Sequence, residues 1–251
     1  KAIRRQRQMC IRDSNRYTIS GTIPKRKDRY RLYLSIARPD SLFITDLQEK
    51  FQTAGIEVKN SNLGQLPETT WFHYPSDYLG DIVHSLNVRS DNLYAESVLR
   101  LLSLSDHEKG SAEKGIDIIR KYWQNYEADS LELFMYDGSG LARNNKVSAK
   151  YLNCVLKETA RDSLIGEYFV QTLPLAGKEG SVATFMKHGE LPGELRLKSG
   201  SMSDVHAYAG YYTTPQNRYA IVVMINNYTC TRAQLKQKIS TLLTQVLSKK
   251  E

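Results

Sequence analysis

The chain has 251 residues, of which 41% are hydrophobic and 25% are charged. This composition is typical of a globular protein with one or two domains, and no run of 18 or more apolar residues predicts a membrane-spanning helix. The net charge of +8 comes from one end, because residues 1–31 hold 11 Lys and Arg against 2 Asp and Glu. No aromatic interleaving or recognised motif accompanies this basic stretch, so we predict no nucleic-acid partner.

The first part of the chain predicts a small α+β region. Residues 1–16 show no apolar period and are left as an unassigned basic leader. Alternating apolar residues predict strands over 16–24 and 28–39. Helical spacing then predicts a helix over 40–55, and a short strand is expected at 56–59.

From about residue 66 the pattern changes to long helical segments. Apolar residues at helical spacing predict helices over 76–104 (with a polar interruption at 87–92), 111–126, 147–160 and 232–247. Two β-rich runs, 205–213 and 218–227, are joined by Thr-Pro-Gln-Asn and predict an antiparallel hairpin.

Two triplets carry the functional signal. Ser90-Asp91-Asn92 lies between two predicted helices, and Lys198-Ser199-Gly200 lies at the start of a predicted strand. Together with S-x-x-K, triplets of this kind form the signature of serine enzymes that act on D-alanyl peptides and β-lactams. Either triplet alone is weak evidence, whereas both in this order and in these local contexts are a strong signal.

The surrounding sequence resembles the D-alanyl-D-alanine carboxypeptidase/endopeptidase family of low-molecular-mass penicillin-binding proteins over about residues 17–251. The resembling stretches are SDNLYAESVLRLL, YDGSGLARNN, LPLAGKEGSV and LKSGSMSDVHAYAGYY. The third motif reads Lys-Ser-Gly where Lys-Thr-Gly is usual, which keeps the hydroxyl, and Ala142 stands where a serine is usual. The resemblance implies an α+β fold of the β-lactamase/transpeptidase type over 66–251, with an antiparallel sheet flanked by helices. Residues 17–65 would then be the end of an inserted α+β domain.

The same resemblance implies a serine-type D-Ala-D-Ala carboxypeptidase or endopeptidase in the periplasm or cell-wall space. It would act on peptidoglycan stem peptides through an acyl-enzyme, bind β-lactams, and need no cofactor and no metal. In this family pattern Ser90 relays a proton to the leaving amine, and Asn92 donates to the acyl-side amide of the substrate. Lys198 supplies positive potential near the substrate carboxylate and steadies Ser90. We therefore expect the Ser90 hydroxyl and the Lys198 ammonium to meet across a cleft.

The resemblance also assigns roles to the residues that follow Lys198. The hydroxyls of Ser199 and Ser201 would hold the substrate carboxylate. The backbone N–H of Ser201 would form half of the oxyanion hole, and Gly200 would leave room for substrate against the strand.

The nucleophile and its base should lie in an S-x-x-K motif upstream of Ser90, but no such motif is there. The only S-x-x-K in the chain begins at Ser111, which opens a predicted helix, and a capping role is sufficient to explain that serine. We therefore expect the chain to be a C-terminal part of a longer protein whose nucleophile and base precede residue 1.

Other candidate features have simpler explanations. Ser139, in Asp-Gly-Ser-Gly-Leu, is predicted to lie in a structural turn, and no histidine has metal-ligand spacing. Two rival functions stay open. One is a non-catalytic penicillin-fold protein that binds the cell wall, and the other is a nucleic-acid-binding protein that uses residues 1–31.

Overall fold

The computed structural model describes residues 38–58, 73–105, 109–126, 132–187 and 191–248. The chain divides into two compact units, 1–73 and 74–251. The predicted strand at 16–24 and the domain boundary predicted at 65/66 lie outside the described residues.

The described part of the first unit contains helix α1, Pro39–Thr53, which confirms the predicted helix over 40–55. It ends in a Schellman motif: Gly55 has φ +74, and the Ile56 N–H donates to the Phe51 carbonyl at 2.9 Å. The strand predicted over 28–39 is described only at 38–39, where Pro39 already begins α1. The strand predicted over 56–59 is wrong at 56–58, because no described strand lies beside these residues to take up their backbone hydrogen bonds.

The second unit holds the remaining elements. In chain order they are α2 Leu79–Arg89, α3 Asn92–Leu101, α4 Ala112–Trp123, β1 Leu133–Phe134, β2 Lys146–Val147, α5 Ala149–Arg161, α6 Gly166–Thr172, a 3₁₀ turn Gly180–Val182, β3 Glu194–Met202, β4 Val205–Thr213, β5 Arg218–Asn226 and α7 Arg232–Leu247. The predicted helices and the β4–β5 hairpin are confirmed. Helix α6 and the β1–β2 pair are too short to produce a periodic signal in the sequence.

Side-chain caps explain where most of these helices begin. The Asp91 carboxylate caps α3, Ser148 caps α5, and Thr231 opens α7 in a capping box. The Ser111 hydroxyl accepts a hydrogen bond from the Lys114 backbone N–H at 3.1 Å. The serine of the only S-x-x-K in the chain is therefore a helix cap, as the sequence predicted.

Strands β3, β4 and β5 form one antiparallel sheet in that order. Lys198 pairs with Ala209 and lies in the middle of β3, so the prediction that its triplet begins the strand is wrong. The strand starts earlier because Leu195 and Leu197 are buried in the core and hold the preceding residues in register with β4.

Helices cover both faces of this sheet. On one face Leu197 and Tyr208 pack with the buried residues of α7, including Ile239. On the other face Tyr211 packs with Leu156 of α5 and with α6. This arrangement confirms the expected α+β fold, an antiparallel sheet flanked by helices. The outer edge of β3 lies next to the 3₁₀ turn, which also contacts α2.

Candidate active site

The two sequence triplets meet in the structure. The Lys198 Nζ donates a hydrogen bond to the Ser90 Oγ at 2.5 Å and another to the Ser199 backbone carbonyl at 3.0 Å. Ser90 and Lys198 are 108 positions apart in the chain. The expected contact between the Ser90 hydroxyl and the Lys198 ammonium is therefore confirmed.

Ser90 occupies a tight turn between two helices. It ends α2 in the left-handed conformation, with φ 57 and ψ 48, which costs a non-glycine residue of order 1–3 kcal/mol. The next residue, Asp91, donates its backbone N–H to the Leu86 carbonyl and caps α3 with its carboxylate. Hydrogen bonds on both sides thus hold the Ser90 backbone in this turn.

The end of α2 is also anchored to its neighbours. The buried Asn87 Nδ2 donates to the Thr172 Oγ1 of α6 at 3.1 Å. Gly180 of the 3₁₀ turn lies so close to α2 that a Cβ there would be 2.2 Å from the Val88 carbonyl oxygen. These contacts fix the position of the Ser90 turn relative to the sheet.

Lys198 provides a partly buried positive charge at this site. Burial lowers the pKa of its ammonium below the ordinary lysine value. No ion pair between described residues involves Lys198, so its charge is available to an anion. Within the same residues, no group of three or more His, Cys, Asp or Glu is arranged to hold a metal ion.

The outer edge of β3 is open next to Lys198. The Leu195 carbonyl accepts from the Ala176 N–H at 2.8 Å, and the Leu197 N–H donates to the Pro174 carbonyl at 3.0 Å. Backbone groups of every second residue therefore point away from β4. The same alternation places the N–H and C=O groups of Ser199 and Ser201 on this edge, beyond the end of the 174–176 segment.

Gly200 and Ser201 are both exposed on this part of the strand. A Cβ added at Gly200 would meet only the Ala207 Cβ, at 4.0 Å. Among the described residues, the face of the sheet above Gly200 is therefore open.

Asn92 lies two residues beyond Ser90, as the first residue of α3. It is exposed, and its side-chain amide makes no hydrogen bond to the described residues. Within the described part of the chain, its side-chain donor and acceptor are both available.

Ser181 belongs to the same site, although the sequence did not single it out. Its Oγ lies 2.7 Å from the Ser199 Oγ. Ser181 lies in the LPLAGKEGSV stretch, which was one of the four stretches that resemble the family. The sequence analysis assigned no role to any residue of that stretch.

The loop that contains Ser139 is a structural turn, as predicted. The Ser139 hydroxyl and backbone N–H both donate to the Glu96 Oε1, at 2.7 and 3.0 Å. Asp137 accepts from the backbone N–H of Ala142 at 2.6 Å. This bond uses only the backbone of residue 142, so the replacement of the usual serine by alanine leaves it intact.

The model of the D-Ala-D-Ala carboxypeptidase 3 (S13) family matches residues 2–249. The chain belongs to the S13 family. The match begins at residue 2, so the sequence-based limit of the resemblance at residue 17 is wrong. Residues 1–16 show no apolar period, and the four stretches that carry the resemblance all lie later in the chain.

Individual relatives agree with the family assignment. The chain is 25% identical over 247 residues to the D-alanyl-D-alanine carboxypeptidase DacB of Haemophilus influenzae, covering 95% of this chain and 51% of that protein. It is 24% identical over 227 residues to the D-alanyl-D-alanine carboxypeptidase of an Actinomadura species, covering 86% of this chain and 42% of the relative. The chain thus spans about half the length of the curated relatives it matches.

Solved structures show the same fold. The chain is similar to penicillin-binding protein 4 (dacB) from Haemophilus influenzae, whose crystal structure was solved with a β-lactam. The TM-score is 0.67 at 23% identity, over 85% of this chain and 52% of the other.

Proposed function

We propose that this chain carries the second and third motifs of a serine-type D-Ala-D-Ala carboxypeptidase/endopeptidase. The enzyme would act on peptidoglycan stem peptides through an acyl-enzyme. The observation that carries the proposal is the hydrogen bond from the Lys198 Nζ to the Ser90 Oγ, which joins the two motifs across one cleft. Membership of the S13 family supports the same chemistry.

In this proposal Ser90 passes a proton to the leaving nitrogen. Because the Lys198 ammonium donates to the Ser90 Oγ, the Ser90 proton is free to point toward the substrate. Ser90 gives that proton to the amine as the C–N bond breaks and regains one from the catalytic base. Asn92, whose amide makes no hydrogen bond to the described residues, donates to the acyl-side carbonyl of the peptide.

The third motif then binds the other half of the substrate. The Ser199 and Ser201 hydroxyls hold the terminal carboxylate in the positive potential of Lys198. The Ser201 backbone N–H, on the open edge of β3, donates to the acyl oxygen and stabilises its negative charge in the transition state. Gly200 leaves the space that the peptide backbone needs.

The nucleophile and base are proposed to come from an S-x-x-K motif outside these 251 residues. No S-x-x-K precedes Ser90, and Ser111 is occupied as a helix cap. The relatives are about twice as long as the matched region. From the family resemblance, residues 17–65 are proposed to be the end of an inserted α+β domain, and residues 1–16 have no proposed role.

Peptidoglycan peptides and β-lactams are the proposed ligands, and the periplasm or cell-wall space is the proposed location. The names of the relatives and the β-lactam complex of a similar protein support the ligands. Within the described residues no helix is long and apolar enough to cross a membrane.

The test is covalent labelling of the complete gene product with fluorescent penicillin. We expect labelling at a serine encoded before residue 1, and none in a protein limited to residues 1–251, because acylation requires the nucleophile. In the complete protein, Lys198→Ala should slow acylation by about 100-fold or more, as expected when a preorganised charge is removed. The control Lys187→Ala removes an exposed lysine and should acylate at the wild-type rate.

Two outcomes would overturn the proposal. Labelling of Ser111 in the 251-residue protein would assign the nucleophile to this chain. Absence of labelling in the complete gene product, with retained binding to purified cell walls, would favour the non-catalytic wall-binding function.

A further inference from the structure

The structure places a second hydroxyl beside the one that the third motif supplies. The Ser181 Oγ lies 2.7 Å from the Ser199 Oγ, and Ser181 is exposed while Ser199 is half-buried. Two hydroxyls at this distance share one of their two protons in a hydrogen bond, so the pair keeps one O–H to offer to a ligand.

Ser181 is held rigidly by the 3₁₀ turn that contains it. The next residue, Val182, is fully buried in the core, and its carbonyl accepts from the Gly177 N–H at 3.0 Å. The Glu179 carboxylate accepts from the Leu175 N–H at 2.8 Å and closes the preceding turn. The hydroxyl is therefore presented from a fixed backbone and not from a loose loop.

The same turn contacts both α2, which ends at Ser90, and β3, which carries Ser199. Gly180 has φ +51 and packs directly on the Val88 carbonyl, two residues before Ser90. Ser181 reaches in the other direction to Ser199 on β3. A side chain at position 180 would collide with α2, so the close approach of the turn to both elements depends on this glycine.

We propose that Ser181 is a positioning residue for the terminal carboxylate of the substrate, acting through Ser199. This inference rests on the proposed function. When a carboxylate lies at the edge of β3, the Ser181 O–H donates to the Ser199 Oγ and the Ser199 O–H donates to the carboxylate. Each hydrogen bond in such a chain polarises the next, which makes Ser199 a stronger donor. Without Ser181, the Ser199 hydroxyl loses the partner that directs its proton toward the ligand.

The experiment compares two peptides in the complete gene product. One is an acylated Lys-D-Ala-D-Ala tripeptide with a free carboxylate, and the other is its C-terminal methylamide. We expect Ser181→Ala to raise KM for the carboxylate peptide about 5- to 20-fold, since a hydrogen bond to a charged group is lost. We expect kcat to stay within about twofold, and neither constant to change for the methylamide.

Matched variants separate positioning from general damage. Ser181→Thr keeps the hydroxyl and should restore KM, whereas Ser163→Ala removes an exposed serine of the α5–α6 connection and should have no effect. In a Ser199→Ala background, Ser181→Ala should cause no further rise in KM, because the two residues act as one unit.

Three results would overturn the inference. They are an equal loss of activity on both peptides, an unchanged KM in Ser181→Ala, and additive effects with Ser199→Ala. Failure of the proposed function is distinguishable, because the wild-type protein would then turn over neither peptide and would not be labelled by penicillin. In that case the inference fails together with the function.

Discussion

Two sides of the candidate site are held by different forces. The strand wall is β3 with Lys198, and the helix wall is the turn between α2 and α3 with Ser90. Strand β3 rests on a hydrophobic core, in which Leu197, the residue before Lys198, is fully buried. Ser90 is exposed, and the turn around it is held by the Asp91 cap and by the bond between Asn87 and Thr172.

Because of this difference, one wall mainly contributes to the stability of the domain and the other mainly fixes the position of Ser90. Burial of apolar side chains supplies most of the free energy of folding but has little directional preference. Hydrogen bonds each contribute less to stability, but their geometry is specific. Damage to the strand wall should therefore unfold the domain, whereas damage to the helix wall should displace Ser90 in a domain that still folds.

The largest expected effect on stability is that of Leu197→Ala. Removing a fully buried leucine leaves a cavity and should lower the free energy of unfolding by about 2–5 kcal/mol. Urea unfolding of the 251-residue protein measures it. The control is Leu164→Ala, at a leucine that is 89% exposed, and it should change stability by less than about 0.5 kcal/mol. Equal losses in the two variants would contradict the assignment of the core.

Asn87→Ala should lower the free energy of unfolding less than Leu197→Ala does. It should nevertheless slow acylation, because it disturbs the position of Ser90. Losing the buried bond to the Thr172 hydroxyl should cost about 1–3 kcal/mol. In the complete gene product this variant should slow penicillin acylation at temperatures where it is fully folded, because Ser90 is no longer fixed. A double-mutant cycle with Thr172→Ala should show a coupling of about 0.5–3 kcal/mol. Asn144→Ala, at an exposed turn, serves as the control, and strict additivity in the cycle would show that the bond does not couple the helices.

The smallest expected effect is a pH dependence of the free energy of unfolding, caused by His206 of β4 next to β3. His206 is 2% exposed and pairs with Ser201 across the sheet. Desolvation, and then the charges of Lys236 and Arg232, lower the pKa of its imidazole below the ordinary value of 6.5. Below about pH 6.5 the unfolded chain therefore binds a proton that the folded chain resists, so stability is lost as the pH falls.

The measurement is the free energy of unfolding between pH 7.5 and pH 5. His206→Phe should flatten this dependence, by about 1.4 kcal/mol for each unit by which the imidazole pKa is lowered. The control His84→Gln changes an exposed histidine and should keep the wild-type slope. A slope that survives His206→Phe would assign the acid sensitivity to another group.

Features that depend on neighbours in the chain were predictable from the sequence. Helix α7 has the predicted bounds, 232–247, because its period and its Thr231 cap are local signals. Ser111 was identified as a cap for the same reason. The functional groups of the site were also predictable, because the Ser90 and Lys198 triplets contain the hydroxyl and ammonium groups that the proposed reaction uses.

Only the tertiary structure decided where those groups meet. The Lys198 triplet lies in the middle of β3 and not at its start, because burial of Leu197 extends the strand backward. The contact between Lys198 and Ser90 joins residues 108 positions apart. The pairing of Ser181 with Ser199 depends on how closely Gly180 packs against α2. Such contacts leave no periodic signal, since they are set by the packing of whole elements, whereas caps and helical periods act within a few residues.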